Sequence, residues 1–153
     1  MKNTYNYYFC GFPGVGKTTA ASDRESVIDL ETTPFHWDAN GNEVKDWVKK
    51  YFESIDDIEQ KETNKTVLLS THKSVITGMR VREIPFVVVA PKREDKNGYL
   101  IRYIRRGSTM SFILKMNEKW YEYMDDIDTL EKQGVCVVRL NGYEGISDII
   151  PLR

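Results

Sequence analysis

The chain has 153 residues, and its 22 basic and 23 acidic side chains leave a net charge of −1. This length suits one domain whose core needs no disulfide or metal, so we expect a single domain over residues 1–153. The balanced charge argues against polymeric nucleic acid or an anionic membrane as a partner. Cys10 and Cys136 lie in apolar runs without metal-ligand spacing, and we expect both to be reduced core residues.

The sequence contains no feature of a membrane or exported protein. No apolar stretch approaches the roughly 20 residues that a membrane-spanning helix needs. The polar start Met1–Thr4 is not followed by the apolar region of a signal peptide. We therefore expect a cytoplasmic protein.

Five short apolar runs predict β-strands, because each is nearly continuous, as in parallel strands buried on both faces. They are residues 6–10, 26–30, 66–70, 86–90 and 135–140. Apolar residues at helical spacing predict helices at residues 18–24, 44–55, 74–81, 99–105 and 111–132. The last helix should end at Gly134. This alternation predicts a three-layer α/β/α sandwich around a five-stranded parallel sheet, with ligands at the carboxyl ends of the strands.

The segment between the first strand and the first helix, Gly11–Thr18, fits the pattern GxxxxGK(S/T) at every fixed position. This pattern is the signature of a P-loop, whose glycines turn backbone N–H groups toward a polyphosphate. Lys17 should reach the β- and γ-phosphates, and Thr18 should bind Mg²⁺. The residues predicted to bind ATP are Gly11, Pro13, Gly14, Val15, Gly16, Lys17, Thr18 and Thr19.

Polar side chains follow the second and third strands, and a parallel sheet brings them to the same edge as the P-loop. Asp29 and Glu31 are candidates to hold the magnesium shell or to accept a proton from a substrate hydroxyl, with loop hydrogen bonding as the alternative. His72 and Lys73 are candidates to bind a phosphate of the acceptor, with ordinary surface positions as the alternative.

The polar segment over residues 31–43 contains three aromatic side chains, Phe35, His36 and Trp37, which are unusual in a solvated loop. We interpret it as part of an acceptor-binding insertion over residues 31–65. Phe35 and Trp37 are candidates to stack on a base, and core packing is the alternative for both.

Three arginines occur together after the fourth strand. Arg102, Arg105 and Arg106 fall at i, i+3 and i+4 on one face of a predicted helix. Phosphoryl transfer spreads negative charge over three oxygens, which enzymes stabilise with metal, lysine and arginine. We therefore predict that these arginines are catalytic together with Lys17, in a lid over residues 92–110. A solvated basic face is the alternative.

The order of these features resembles the P-loop nucleoside monophosphate kinases, and the similarity covers most of the chain. Shorter motifs are similar to small nucleotide kinases of bacteriophages and prophages, namely Asp29–Trp37, Ser70–Lys73, Ile84–Phe86 and Tyr103–Ser108. The resemblance implies transfer of the γ-phosphoryl group of Mg·ATP to a nucleotide. It also implies that Lys17 clamps the phosphates, that Thr18 binds Mg²⁺, and that the three arginines close over the transferring group.

The chain departs from many P-loop enzymes at the end of the third strand, where Ser70 and Thr71 replace an acidic magnesium partner. Asp29 or Glu31 would have to take that role. A nucleoside monophosphate is the first acceptor to consider, because its ionised phosphate needs no general base. A hydroxyl acceptor, such as a nucleoside or small metabolite, would use Asp29 or Glu31.

Two other classes of function are consistent with a P-loop. The first is a regulatory protein that binds nucleotide and changes a partner surface; the absence of an Asn-Lys-x-Asp motif argues against a GTPase. The second is a structural protein whose loop binds nothing.

Overall fold

The computed structural model describes residues 5–22 and 24–150. Residues 1–4, 23 and 151–153 lie outside this description. They include the polar start Met1–Thr4 and also Asp23, which belongs to the first predicted helix. Within the described residues, five parallel strands form one sheet in the order β2–β3–β1–β4–β5. They are β1 Tyr7–Gly11, β2 Val27–Asp29, β3 Thr66–Ser70, β4 Val87–Pro91 and β5 Val137–Leu140. Each overlaps a predicted run, and the predicted α/β fold class is confirmed.

Helices connect the strands. In the described residues they are α1 Lys17–Ser22, α2 Thr33–His36, α3 Trp47–Lys61, α4 Lys73–Val81, α5 Lys96–Arg105 and α6 Met110–Lys132. Short 3₁₀ turns lie at Arg93–Asp95 and Ile146–Asp148. Gly134 follows α6 with a φ of 93°, as expected of a helix stop. No helix in the described part of the chain is both long and apolar enough to cross a membrane.

The helices cover both faces of the sheet. From β1 the chain passes through α1 to β2, at one edge of the sheet. It then crosses the sheet in the opposite direction, from β2 through β3 and β4 to β5 at the other edge. Since such crossovers are right-handed, α1 covers one face, and α3, α4 and the α5–α6 pair cover the other. In agreement, α3 contacts α4 and α5 contacts α6, whereas α1 contacts the 3₁₀ turn after β5.

The acceptor-binding insertion predicted from the sequence is more ordered than a loop. Pro34 lies in the first turn of α2, where its fixed φ suits a helix start. Trp37 and Glu43 then pair in an antiparallel bridge, and the N–H of Val44 donates to His36 at 2.8 Å. Because Val44 belongs to this hairpin, α3 begins at Trp47 and not at residue 44.

The two cysteines have different environments. Cys10 is fully buried in the central strand β1, as predicted. Cys136 is exposed, so its predicted core position is wrong. It precedes β5, which is an edge strand whose residues Val137 to Arg139 are only partly buried. The apolar run at this edge therefore does not have the two covered faces of the central strands.

Candidate active site

The P-loop follows β1 at the carboxyl edge of the sheet. Gly14 and Gly16 have φ values of 92° and 91°, in the left-handed region that favours glycine. Among the described residues, the N–H groups of Gly14, Gly16, Lys17 and Thr18 donate to no backbone carbonyl outside the helix. These donors are therefore available to a polyphosphate, as the motif predicts.

Three consecutive carbonyl groups of the same loop accept hydrogen bonds from distant parts of the chain. The Tyr103 hydroxyl donates to Pro13 at 2.7 Å, Arg102 Nη1 donates to Gly14 at 2.9 Å, and the N–H of Ile146 donates to Val15 at 2.7 Å. The C=O and N–H of a trans peptide point in opposite directions. Fixing the Pro13 and Val15 carbonyls outward therefore aims the N–H groups of Gly14 and Gly16 inward, whereas the N–H of Val15 donates to Phe12 at 3.2 Å.

Lys17 bonds to the first residue of its own loop. Its Nζ donates to the Gly11 carbonyl at 2.5 Å. Burial lowers the pKa of Lys17, and the charge of nearby Asp29 opposes this effect. A polyphosphate would offer the ammonium group a charged acceptor, so phosphate binding should favour the protonated form.

Two carboxylates converge on the P-loop threonine. The Thr18 hydroxyl lies 3.3 Å from Asp29 Oδ2 and 3.5 Å from Glu31 Oε1. Burial and then the charge of Glu31 raise the pKa of Asp29. Asp29 Oδ1 is also buried and has no hydrogen-bond partner among the described residues. The site thus holds more negative charge and more acceptor capacity than the chain itself satisfies.

This arrangement fits Mg²⁺. The ion takes few protein ligands and completes its shell with waters and phosphate oxygens. No group of three or more His, Cys, Asp or Glu side chains suited to a metal occurs in the described residues, so the chain offers no closed cage. Thr18 and Asp29 would hold the ion together with ATP, and Glu31 lies at the exposed side of the same cluster.

The three predicted catalytic arginines have different surroundings. Arg102 lies behind the P-loop, where it donates to Gly14 and, at 2.6 Å, to Gly142. Arg106 lies over the Tyr103 ring, and its charge contributes to lowering the pKa of Lys17. Arg105 is exposed. Arg106 is exposed as well, but of the three it is the one whose charge acts on Lys17 of the P-loop.

The segment predicted to form a lid, residues 92–110, contains two buried tyrosines of α5. Tyr99 and Tyr103 bury α5 behind the P-loop, with 1% and 0% of their surface exposed. Tyr99 packs on Trp120, and Tyr103 packs on Phe112 of α6. These contacts anchor α5, and a lid over residues 92–110 stays a prediction.

The aromatic residues of the insertion divide into a core set and an exposed set. Phe35 packs edge-on against the buried Tyr51, with ring centroids 5.3 Å apart. His36 stacks between Trp37 and Trp47, 4.5 Å from each. The outer end of this stack is Trp37, which is 44% exposed. Of the two predicted stacking residues, Trp37 presents the accessible ring.

His72 and Lys73 lie after β3, where α4 begins, and His72 contacts the insertion. His72 Nδ1 accepts the N–H of Ser74 at the start of α4, and the ring meets His36 and Trp47 edge-on. Burial, followed by the charges of His36 and Lys115, lowers the pKa of His72. Lys73 pairs with Asp126 at 3.5 Å. Both side chains thus have partners within the chain, and their role toward an acceptor stays a prediction.

Sequence reasoning missed the tyrosines that support this site. Tyr103 holds the P-loop, and Tyr51 donates to the Leu30 carbonyl between the two carboxylates. Both occur in helical apolar patterns, which indicate burial but not the partner of the hydroxyl.

The fold is a P-loop α/β fold, in which the loop joins the central strand β1 to α1. The chain is similar in structure to the Deinococcus radiodurans tunicamycin resistance protein, with a TM-score of 0.62 and 14% sequence identity over 95% of this chain and 91% of that chain. No protein-family model matches the sequence, and no similar sequence is found among curated proteins. A likeness at this identity shows the fold alone. The narrower resemblance to bacteriophage kinases stays a prediction.

Proposed function

We propose that this protein is a Mg·ATP-dependent phosphotransferase that phosphorylates a hydroxyl group of a small molecule with a flat ring, such as a nucleoside. The observation that carries the proposal is the pair of carboxylates, Asp29 and Glu31, beside the Thr18 hydroxyl of the P-loop. A hydroxyl loses its proton as it attacks phosphorus, so a carboxylate beside the phosphate loop is the group that such an acceptor needs.

The two carboxylates have different positions and therefore different proposed roles. Asp29 is partly buried and close enough to Lys17 for their charges to interact, which suits the metal's shell. Glu31 is exposed at the side from which an acceptor would enter, and would accept its proton. Bound Mg·ATP would supply the phosphoryl group and a metal that neutralises its oxygens. Lys17 and Arg106 would stabilise the developing charge.

A nucleoside monophosphate is the second candidate acceptor. It is favoured by Arg106 and Lys115, neither of which pairs with a carboxylate in the described part of the chain. These cations are available for a phosphate that is already ionised. Trp37 would stack on the base in either case.

The test is to measure ADP release from Mg·ATP in the presence of nucleosides or of the corresponding nucleoside 5′-monophosphates. The Lys17→Ala variant is the blank. We expect nucleosides to stimulate turnover, Glu31→Gln to remove the stimulation, and the exposed helix variant Glu53→Gln to keep it. Stimulation by monophosphates alone, unchanged in Glu31→Gln, would establish the second candidate instead. ATP binding without stimulation by any acceptor would favour a regulatory nucleotide-binding protein.

A further inference from the structure

A cleft of about 700 Å³ lies between α4 and α6. It begins at Phe12 and Pro13 of the P-loop, at Ser70, which ends β3, and at Thr71, so it adjoins the candidate active site. Because α4 has nine residues, the cleft follows that helix for up to about 13 Å. Its apolar lining includes the buried residues Phe12, Ile76, Met116 and Ile127.

Two lysines of α6 line the mouth of this cleft. Trp120 packs on Phe12 where β1 ends, with ring centroids 5.5 Å apart. Lys115 and Lys119 precede Trp120 on the helix, so they lie toward the active-site side of the sheet edge. The lysine nearer the site, Lys115, is close enough to His72 to lower its pKa, after burial and His36.

Neither lysine is held in an ion pair by the described residues, although Glu118 and Glu122 follow them by three positions on α6. Both are exposed, and within residues 5–22 and 24–150 neither forms an ion pair with a carboxylate. The acidic lining residues, Glu122 and Asp126, come later on α6, and Asp126 already pairs with Lys73. The mouth of the cleft is therefore basic in a chain whose net charge is −1.

We propose that Lys115 and Lys119 bind a phosphate group of the acceptor, so that the substrate is a hydroxyl compound that already carries a phosphate ester. This inference rests on the proposed function, and it narrows the acceptor to a phosphorylated one. The lysines lie one helical turn apart, which lets two ammonium groups meet one phosphate through charge-assisted hydrogen bonds. The acceptor's hydroxyl then lies toward Glu31, and its phosphate lies at the cleft mouth. A nucleoside 3′-monophosphate with a free 5′-hydroxyl has this chemistry.

The test is calorimetric binding of the four deoxynucleosides and of their 3′-monophosphates. The P-loop is first saturated with Mg²⁺ and a non-hydrolysable ATP analogue, so that it cannot take the probe's phosphate. We expect each 3′-monophosphate that binds to bind about tenfold more tightly than its nucleoside. This preference should fall as salt is raised, because the lysines are exposed.

The variants are Lys115→Gln, Lys119→Gln and the double variant, with Lys132→Gln as a control on the same helix outside the cleft. We expect the double variant to bind both members of a pair equally and the control to keep the preference. Equal affinities in the parent, no binding by any of the eight compounds, or a preference that survives in the double variant would overturn the proposal. The proposed function is tested separately, by measuring whether the protein forms the nucleoside 3′,5′-bisphosphate from Mg·ATP. A binding preference without formation of this product would contradict the proposed function but not the phosphate-binding site.

Discussion

The hydroxyl of Tyr51 lies 2.5 Å from the carbonyl oxygen of Leu30, the residue between the two site carboxylates. Burial raises the pKa of Tyr51, and the backbone of Ser70, at the end of β3, lies close enough to the hydroxyl to oppose this effect. The Tyr51 ring is fully buried and packs edge-on against Phe35 and Trp47 of the acceptor-binding insertion. One side chain therefore connects the ends of two strands with the insertion.

Replacing Tyr51 by phenylalanine should lower turnover about tenfold and leave ATP affinity unchanged, because it removes the donor that positions the end of β2. Loss of one buried hydrogen bond should cost about 1 kcal/mol of stability. Steady-state kinetics and thermal melting measure both effects, with the fully exposed Tyr143→Phe as control. A lower melting temperature with unchanged turnover would show that Tyr51 is only structural.

Gly14→Ala should abolish nucleotide binding. A Cβ at this position would lie 2.9 Å from the Tyr103 ring, and the φ of 92° is strained for alanine. We expect a loss of roughly 1–3 kcal/mol in stability as well. Gly98→Ala is the matched control, because a Cβ there meets open space within α5. It should stabilise the protein by up to about 1 kcal/mol, measured by denaturant unfolding. Equal ATP affinity in both variants would contradict the assigned loop geometry.

Alanine substitutions should separate the three arginines. Arg106→Ala should lower kcat by about 10²–10³ and change ATP affinity less, because its charge acts on the transferring group. Arg102→Ala should lower both the melting temperature and ATP affinity, since it removes two bonds to backbone carbonyls. Arg105→Ala should resemble the parent. Equal losses of kcat in all three variants would instead support the prediction from the sequence that all three arginines are catalytic.

Asp29→Asn should raise the melting temperature of the nucleotide-free protein at neutral pH. Burial and Glu31 raise the pKa of Asp29, so its ionised form is less favourable in the folded chain than in the unfolded one. The parent's stability therefore falls as pH rises from the ordinary pKa of an aspartate to this raised pKa, and the difference from the variant should vanish as pH is lowered below the ordinary value. Mg²⁺ with ATP should stabilise the parent more than the variant. A pH-independent difference in melting temperature would contradict this electrostatic origin.

The two thiols should react at very different rates. Cys136 is exposed, whereas burial raises the pKa of Cys10 to about 12. A thiol reagent should modify one cysteine in the folded protein and the second only after unfolding. Mass spectrometry of the labelled peptides identifies which one reacts. Modification of Cys10 under native conditions would mean that β1 opens more readily than its burial suggests.

The fold was accessible from the sequence because its signals are local. Continuous apolar runs marked all five strands, and the P-loop motif fixed the edge at which polar residues meet. The prediction for Cys136 failed because an edge strand has the same composition as a central one, and composition does not show strand order. Val44 was assigned to α3 because its spacing is helical, although it bonds to His36 in the hairpin.

The site was predictable in its charges but not in its partners. Asp29 and Glu31 were found as carboxylates at the sheet edge, and the structure brings both to Thr18. Helical spacing placed Arg102 and Arg106 on one face, yet Arg102 bonds to the backbone of the P-loop and Arg106 lies over the Tyr103 ring. Long flexible side chains reach partners several residues away, so sequence spacing does not determine where they end.

The three bonds from Tyr103, Arg102 and Ile146 hold the P-loop before any nucleotide binds. A loop whose backbone is already ordered loses little conformational entropy on binding, so its affinity for ATP should not depend on the acceptor. The backbone of Trp37 is held in its hairpin by the bridge to Glu43, but its ring is 44% exposed and is free to order further on an acceptor. Most of the conformational entropy lost on binding should therefore be lost when the acceptor binds. We expect binding of the acceptor, and not of ATP, to exclude water from the active site.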